Sequence, residues 1–163
     1  MTMMINVPDR VLLIKVSKMW GSGEEQGTCM IFYDLTDVTT SPREEDQRAR
    51  PRQLFKLPVY KNSRVVLLDL NDVVHFKAEG HYTSVFTDEQ AYLCNLALSD
   101  LELRLDPGKF VRVHRSHMVN IRFTAAFEKV DEQCALVMRT QDEARVPVSR
   151  SNVQKLKLMF GLN

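Results

Sequence analysis

Residues Phe110–Asn120 read FVRVHRSHMVN, and the interpretation of the whole chain starts from this stretch. Apolar and polar residues alternate through its first half, a pattern that predicts a strand with one buried side. Arg112 and His114 would then face outward. Arg115 and Ser116 interrupt the alternation before the apolar residues resume. A strand that ends in a short cationic turn indicates a site that reaches an anion.

The length and composition indicate one hydrophobic core in a protein of balanced charge. The chain has 163 residues, 44% of them hydrophobic, with 22 basic and 21 acidic residues. This length is sufficient for one core with a small appendage. A net charge of +1 does not by itself predict nucleic-acid binding. It does not exclude such binding either, because nucleic-acid binding depends on where the cations cluster and not on the net charge.

The three cysteines, Cys29, Cys94 and Cys134, are widely spaced and form no CxxC pair. Their apolar or strand-like neighbours predict buried, reduced thiols in a cytosolic protein. No apolar run approaches the roughly 20 residues that a membrane helix needs, and the N-terminus lacks a signal-peptide pattern. We therefore expect a soluble, cytoplasmic protein with no membrane partner.

Residues 1–40 predict two strands joined by a turn. Arg10–Val16 and Thr28–Leu35 are short apolar runs, each bounded by polar or turn-forming residues. Two strands alone are marginally stable, so this hairpin needs more sheet, a partner chain or the rest of the molecule. Residues 41–53 then contain no large apolar residue. We interpret 41–53 as a charged linker that could form a helix, and as the domain boundary.

Residues 54–163 predict a mainly β domain built from short strands separated by turn-forming residues. Besides the strand that begins at Phe110, the predicted strands are Phe55–Tyr60, Arg64–Leu68, Val73–Ala78, Tyr82–Phe86, Ala91–Cys94, Thr124–Val130, Ala135–Arg139 and Ala144–Val148.

Two helices interrupt these strands. Ser99 is a good N-cap for the first helix, and Glu102 lies three residues further on, as in a capping box. The second helix is predicted to begin near Ser149 or Ser151. Both helices carry apolar stripes that predict packing against the core, and the stripe of the second consists of Val153, Leu156, Met159 and Phe160.

Three loops of this domain carry polar or cationic tips: Gly80-His81, the turn at 114–116 and the segment 149–152. Each loop lies between two apolar elements. If the loops share one edge of the β scaffold, Arg and His can donate to base edges, and Ser and Asn to phosphates. The start of a helix at Ser151 adds free N–H groups suited to a phosphate. From these residues alone, three ordinary solvated turns remain an alternative.

Other chemistries have less support. His114 and His117 are three residues apart, which on a single strand places them on opposite faces, and no carboxylate or cysteine lies nearby at ligand spacing. We therefore predict no metal site. The sequence has no GxSxG motif, no cysteine beside a histidine and no phosphate-binding glycine loop. We therefore expect that the protein is not an enzyme.

Four stretches within residues 56–161 resemble the LytTR family of bacterial DNA-binding domains. They read DVVHFKAEGHYTSVFT (72–87), LSDLELRL (98–105), KFVRVHRSHMVNI (109–121) and VPVSRSNVQKLK (146–157). The pieces FVRVHRSHMVN and VPVSR are the most specific, and the order and spacing agree with the family. The resemblance implies an elongated β-β-β fold of about ten short strands and two small helices. Loops of this fold enter successive major grooves.

The resemblance also implies which residues contact DNA. The base-reading positions of the family fall on His81, Arg115 and Arg150, and an arginine at the second position suits readout of guanine. The cationic and polar residues around these positions are expected to contact phosphates: Lys77, Arg112, His114, Ser116, Ser149, Ser151 and Asn152.

The N-terminal hairpin, with FYDLTDVTT at 32–40, resembles the last two strands of a PAS domain. A PAS domain followed by LytTR is the arrangement of the carbon-monoxide-responsive haem regulators of the RcoM type. The resemblance implies haem in full-length relatives, where a methionine ligand could correspond to Met3 or Met4. None of the four histidines precedes position 75. Because the resemblance covers only the last two strands of a PAS domain, residues 1–40 are expected to form an incomplete one. With no histidine before position 75, we expect no cofactor in this chain.

These observations predict a sequence-specific bacterial transcription regulator that binds double-stranded DNA through a C-terminal LytTR domain. Sites of this family imply two copies of the protein, as a homodimer or side by side on repeated sequences. Two alternatives stay open. The chain could be the output part of a haem-containing, carbon-monoxide-sensing PAS–LytTR regulator, or a β module that binds a partner other than DNA.

Overall fold

The computed structural model describes residues 2–7, 9–23, 26–42 and 51–162. Its elements, in chain order, are β1 (Thr2–Val7), β2 (Arg10–Trp20), β3 (Gln26–Asp34), α1 (Thr36–Thr39), β4 (Lys56–Lys61), β5 (Arg64–Asp69), β6 (His75–Glu79), β7 (Tyr82–Phe86), β8 (Ala91–Cys94), α2 (Leu98–Arg104), β9 (Phe110–His114), β10 (His117–Asn120), β11 (Thr124–Val130), β12 (Gln133–Met138), β13 (Arg145–Val148) and α3 (Arg150–Met159).

The predicted fold class is confirmed. Within residues 54–162 the structure has ten strands and two α-helices, with short 3₁₀ turns at Leu70–Asp72 and Ile121–Phe123. The strands form three antiparallel sheets, of which the largest has the order β5-β4-β8-β7-β6-β10-β9. The other two have the orders β1-β2-β3 and β11-β12-β13.

The N-terminal sheet is larger than the sequence predicts. Besides the two predicted strands it contains β1, which pairs with β2 from Thr2↔Lys15 to Val7↔Arg10. The strand predicted to end at Val16 continues to Trp20, because β3 pairs with it along its length as far as Gln26. A third strand supplies the additional sheet that a lone hairpin needs.

Two hairpins of the C-terminal domain turn through residues with left-handed backbone angles. The β4–β5 turn has φ of 48° at Asn62 and 62° at Ser63, and the β11–β12 turn has 47° at Asp131 and 66° at Glu132. Two consecutive positive φ angles match the right-handed twist of the flanking strands, which is why Asn and Asp are favoured there. These turns fix the register of both hairpins.

The hydrophobic core has two parts. The first lies between the N-terminal sheet, the central sheet and α2, and its buried residues include Met4, Leu13, Leu57, Phe76 and Leu101. N-terminal and C-terminal residues thus contribute side chains to the same cluster.

The second part of the core lies between the β9–β10 side of the central sheet, the β11–β13 sheet and α3. Its members include Val113, Val119, Leu136 and the fully buried Leu156. Packing on this cluster fixes the start of α3 beside the end of β9.

The described residues on either side of the segment 43–50 are joined by backbone hydrogen bonds. The amide of Ser41 donates to the carbonyl of Gln53 at 2.9 Å. The amide of Phe55 donates to the carbonyl of Thr39, also at 2.9 Å. The helix that the sequence allows in 41–53 falls mainly on residues 43–50, which lie outside the described residues. The division of the chain at this segment stays a prediction.

Several details of the sequence-based predictions were wrong. Helix α2 has Ala97, not Ser99, as its N-cap, because the helix begins at the buried Leu98, two residues earlier than a cap at Ser99 predicts. Met159 is 43% exposed and lies off the core-facing stripe of α3. Of the three free cysteines only Cys94 is buried, and its burial raises the pKa of the thiol to about 12.

Membrane insertion by a helix finds no support in the described part of the chain, where no helix is long and apolar enough to cross a bilayer.

Candidate nucleic-acid interface

The three polar loops come together at one end of the central sheet. Strand β6 runs antiparallel to β10 and leads directly into the Gly80-His81 turn. The amide of Ala78 donates to the carbonyl of Ser116 at 2.8 Å, so this turn lies beside the β9–β10 turn. The amide of Ser149 donates to the carbonyl of Val113 at 2.8 Å, which brings the start of α3 to the same end.

Two of these loops line a shared concavity of about 400 Å³. Its walls come from the end of β9 and the turn that follows, from the start of α3, and from one residue of α2. The lining residues are Glu102, Arg112, His114, Arg115, Ser149, Ser151 and Asn152. Six of these seven belong to the residues predicted from the sequence to contact DNA.

The three predicted base-reading residues are exposed but do not all line this concavity. His81 follows Gly80, whose φ of 62° permits the tight turn between β6 and β7. Arg115 lies at the tip of the β9–β10 turn. Arg150 opens α3 and lines a larger groove, of about 920 Å³, between that helix and the β12–β13 hairpin.

The start of α3 is arranged through side-chain contacts among its first residues. Ser149 is the N-cap, as one of the two sequence predictions has it. Its Oγ lies 3.1 Å from the Oγ of Ser151 and accepts a hydrogen bond from Nδ2 of Asn152 at 2.9 Å. The hydroxyl makes no capping hydrogen bond to the helix backbone, and the amide of Asn152 donates to the carbonyl of Ser149 at 2.9 Å. The N–H groups of Arg150 and Ser151, which precede the intrahelical hydrogen bonds, stay available to an external acceptor.

His114 and His117 face each other across the β9–β10 turn. The prediction that these two histidines point to opposite faces of one strand was wrong: a turn separates them, and their ring centroids are 5.6 Å apart. The hydroxyl of Ser116 lies between the rings, 2.8 Å from Nδ1 of His114 and 2.9 Å from Nδ1 of His117.

The hydrogen bonds assign a tautomer to each ring. The backbone N–H of Ser116 donates to Nδ1 of His114 at 3.2 Å, so this nitrogen is an acceptor and the ring proton lies on Nε2. The hydroxyl of Ser116, which lies near both Nδ1 atoms, can then share the lone pair of His114 Nδ1 with this amide and accept from Nδ1–H of His117. His114, which lines the concavity, thereby presents an N–H donor to its surroundings.

The histidines below this turn are neutral at physiological pH. Burial lowers the pKa of His75 to about 4, and the nearby His117 adds to the shift. Burial likewise lowers the pKa of His117 to about 4, with contributions from His114 and Lys77. The ring of His75 stacks on Phe86 at 4.3 Å. The base of the turn is therefore an uncharged, packed support.

Two of the predicted phosphate contacts are cations that form ion pairs within the chain. Nζ of Lys77 forms an ion pair with Glu79 at 2.8 Å, and this lysine lowers the pKa of the carboxyl. Nη1 of Arg112 forms an ion pair with Oε2 of Glu102 at 3.0 Å. Glu102 matches a capping box in the local sequence, but no local pattern predicts its position in the concavity.

The haem implied by the resemblance can be compared with the residues present. All four histidines lie at position 75 or beyond, outside the N-terminal sheet. Met4 is buried in the first core cluster, whereas Met3 is 39% exposed on β1. Among the described residues, no three His, Cys, Asp or Glu side chains gather closely enough to hold a metal ion. The N-terminal sheet, Thr2–Asp34, therefore carries no histidine that could serve as a haem ligand.

A mainly β domain with cationic loop tips gathered at one end matches a known class of DNA-binding domain. The family model of the LytTr DNA-binding domain matches residues 63–161, and the chain therefore belongs to this family. The same fold is found in the LytTr DNA-binding domain of a response regulator from Bacillus cereus. That structure is 23% identical, superposes with a TM-score of 0.59, and aligns over 66% of this chain and 97% of its own.

Two longer relatives are transcriptional regulators by name. The heme-containing CO-sensing transcriptional regulator RcoM 2 of Paraburkholderia xenovorans is 52% identical over 163 residues, which cover 98% of this chain and 61% of the relative. The CO-responsive transcriptional regulator RcoM of Rhodospirillum rubrum is 32% identical over 151 residues, which cover 93% of this chain and 64% of the relative. The chain thus spans less than two thirds of the length of these relatives.

Proposed function

We propose that this protein is a cytoplasmic transcription regulator that binds duplex DNA sequence-specifically with the end of its central sheet, and that it acts by binding rather than by catalysis. The observation that carries this proposal is the shared concavity between the β9–β10 turn and the start of α3. It combines arginine, histidine and hydroxyl donors on loops that project beyond a rigid sheet. Such loops can follow a groove without a recognition helix.

Sequence is read, in this proposal, by the exposed side chains of His81, Arg115 and Arg150. An arginine can donate two hydrogen bonds to O6 and N7 of guanine, which is the commonest specific contact in the major groove. Because the three residues extend from three separate loops at one end of the sheet, they can address successive positions along the duplex.

Affinity comes mainly from phosphate contacts around these residues. The hydroxyl and amide groups at the start of α3 and the Nε2–H donor of His114 are neutral donors. Lys77 supplies a cation that can exchange its intramolecular partner Glu79 for a phosphate. The proposed phosphate contacts are Lys77, His114, Ser116, Ser149, Ser151 and Asn152.

Selection of bound sequences from a random duplex pool, followed by fluorescence anisotropy on the selected site, tests this function. We expect a defined recognition sequence and a steep log-linear loss of affinity between about 50 and 200 mM salt. A scrambled duplex serves as the control for non-specific binding. If no duplex binds even at low salt, the DNA-binding function is wrong, and a β module for another partner becomes the better interpretation.

We also propose the domain organisation and the mode of assembly. Residues 1–40 form the PAS-like C-terminal strands, 41–53 a charged linker, and 54–163 the LytTR domain. Two copies bind side by side on a repeated site. Analytical ultracentrifugation with a selected duplex carrying one or two copies of the recognition sequence checks the stoichiometry. One protein per two-copy duplex would contradict paired binding.

A second candidate is supported by the names of the two RcoM relatives, which describe sensing of carbon monoxide. In this version the chain is the output part of a haem-containing regulator. Haem titration with and without carbon monoxide, read by the Soret band, distinguishes the two versions. Saturable haem binding by this chain would require ligands other than a histidine on the N-terminal sheet.

A further inference from the structure

Arg112 directs its guanidinium nitrogens at acceptors within the chain. Nε donates to the carbonyl of His114 at 3.3 Å, and Nη2 donates to the carbonyl of Arg115. Nη1 donates to Oε2 of Glu102 at 3.0 Å. The side chain is only 26% exposed. Because each of the three guanidinium nitrogens already donates to an acceptor within the chain, few N–H groups are left to bind a phosphate.

The two carbonyls that Arg112 holds belong to the peptide groups on either side of Arg115. The carbonyl of His114 is part of the peptide bond that precedes Arg115, and the carbonyl of Arg115 is part of the bond that follows. Fixing both peptide groups restricts φ and ψ of Arg115, and these angles set the direction in which its side chain leaves the turn. Arg112 therefore controls the direction of a neighbouring side chain.

Glu102 holds the guanidinium in this orientation from a different element. It lies on α2, next to the fully buried Leu101 and two residues before the buried Arg104, so its backbone is firmly anchored. Its side chain is 49% exposed, and an ion pair of this kind contributes little to stability. Its effect is on geometry, because the carboxylate fixes which way the planar guanidinium of Arg112 faces.

We infer that Glu102 and Arg112 are positioning residues that fix the backbone of Arg115 for base readout, and that Arg112 is not a phosphate contact. This inference rests on the proposed function, in which Arg115 reads a base. It assigns a specificity-determining role to an acidic residue at a DNA-binding surface. Glu102 lowers non-specific attraction to phosphates and at the same time prepares a specific contact.

The substitution Glu102→Gln separates positioning from phosphate binding. If Arg112 positions the turn, the ratio of affinities for the selected and scrambled duplexes falls by about tenfold, the size expected when one base contact is misplaced. The salt dependence stays unchanged. If Arg112 instead binds a phosphate, Glu102→Gln leaves this ratio unchanged, and Arg112→Gln lowers the salt slope by about one unit. That outcome would overturn the inference.

Asp37→Asn is the control, because it removes the same charge from another surface ion pair, with Arg52 at 3.5 Å, on α1 and outside the three loops. We expect it to leave the affinity ratio unchanged. Glu102→Gln, Arg112→Gln and the double variant should all have the same effect on the ratio, since either change releases the same turn. Additive effects would contradict a shared role.

A measurement without DNA distinguishes failure of this inference from failure of the proposed function. Backbone ¹⁵N relaxation should give Arg115 an order parameter typical of rigid backbone in the wild type, and a lower one in Glu102→Gln. If the wild type selects a sequence but Arg115 is equally mobile in both proteins, positioning is wrong and DNA binding stands. If the backbone of Arg115 becomes more mobile in Glu102→Gln but no duplex binds, the positioning by Glu102 and Arg112 is correct and the proposed DNA readout is wrong.

Discussion

The guanidinium of Arg104, at the end of α2, donates a hydrogen bond to the main-chain carbonyl of Val7, 97 residues earlier in the chain. The same Nη2 lies 3.3 Å from the carbonyl of Arg10, so one arginine spans the turn between β1 and β2. The side chain is 2% exposed, and the carbonyl of Arg104 accepts from the amide of Leu54 at 2.8 Å. This residue ties the N-terminal sheet to the LytTr domain.

Replacing Arg104 by Met should lower the free energy of unfolding by about 2–4 kcal/mol, because the hydrogen bonds from its buried side chain to these two carbonyls are lost. Urea denaturation measures the loss. Hydrogen exchange should locate it at β1 and β2, whose amides become less protected. Leu103→Ala is the control on the same helix, since Leu103 is 66% exposed and its removal should cost less than about 0.5 kcal/mol. Equal losses in both variants would contradict the role assigned to Arg104.

Stability should decrease as the pH falls from about 6.5 to about 4, because of His75. Its pKa lies near 6.5 in an unfolded chain and is lowered to about 4 by burial in the folded protein. Between these values the unfolded state holds more protons, so acid favours unfolding by about 1.4 kcal/mol per pH unit for this group. His75→Phe, which keeps a ring to stack on Phe86, should reduce this dependence in urea titrations at a series of pH values. The dependence that remains is that of His117, whose pKa burial also lowers to about 4.

Val85→Ala is the control for the pH experiment. Val85 is fully buried in the first core cluster and does not titrate, so its truncation should lower stability by a similar amount at every pH. An unchanged pH slope in His75→Phe would show that another group is responsible for the acid sensitivity.

Much of the fold could be predicted from local sequence, because short alternating runs are closed by turn residues. Tyr82–Phe86, Ala91–Cys94 and Thr124–Val130 have the predicted bounds. The prediction was wrong at Ser99, where a favourable cap residue is overridden by the packing of Leu98. This buried residue begins the helix two residues earlier than a cap at Ser99 predicts. Local preferences of about 1 kcal/mol do not outweigh the burial of a leucine.

The candidate site was less accessible from the sequence. The cationic tips could be recognised as separate turns, but their meeting at one end of the sheet depends on strand order, which local patterns do not encode. Glu102 and Arg112 lie ten residues apart on different elements, and they meet only because α2 packs beside β9. His114 and His117 likewise face each other because of the turn between them, and their spacing of three residues in the sequence did not indicate the geometry of that turn.

Arg115→Ala and Arg150→Ala should each weaken binding to the selected duplex by about 1–3 kcal/mol and relax specificity at one position of the site. The reason is the loss of a two-hydrogen-bond contact with a base. Anisotropy with the selected and scrambled duplexes measures both effects. Equal losses on the two duplexes would reassign these residues to phosphate contacts, and unchanged affinity would remove them from the interface. Exposed Arg122, in the 3₁₀ turn after β10, is the control, and Arg122→Ala should not change the affinity ratio.

Ser116→Ala should change the tautomer of His117 while leaving that of His114 in place. In the wild type we expect the proton of His117 on Nδ1, where it bonds to the serine hydroxyl, and that of His114 on Nε2. The alanine variant removes the acceptor of His117, whereas Nδ1 of His114 keeps the backbone N–H of residue 116 as its donor. Long-range ¹H–¹⁵N spectra distinguish these forms. Ser116→Thr retains the hydroxyl and should keep both tautomers, and a change of tautomer in that variant as well would contradict the assigned chain of hydrogen bonds.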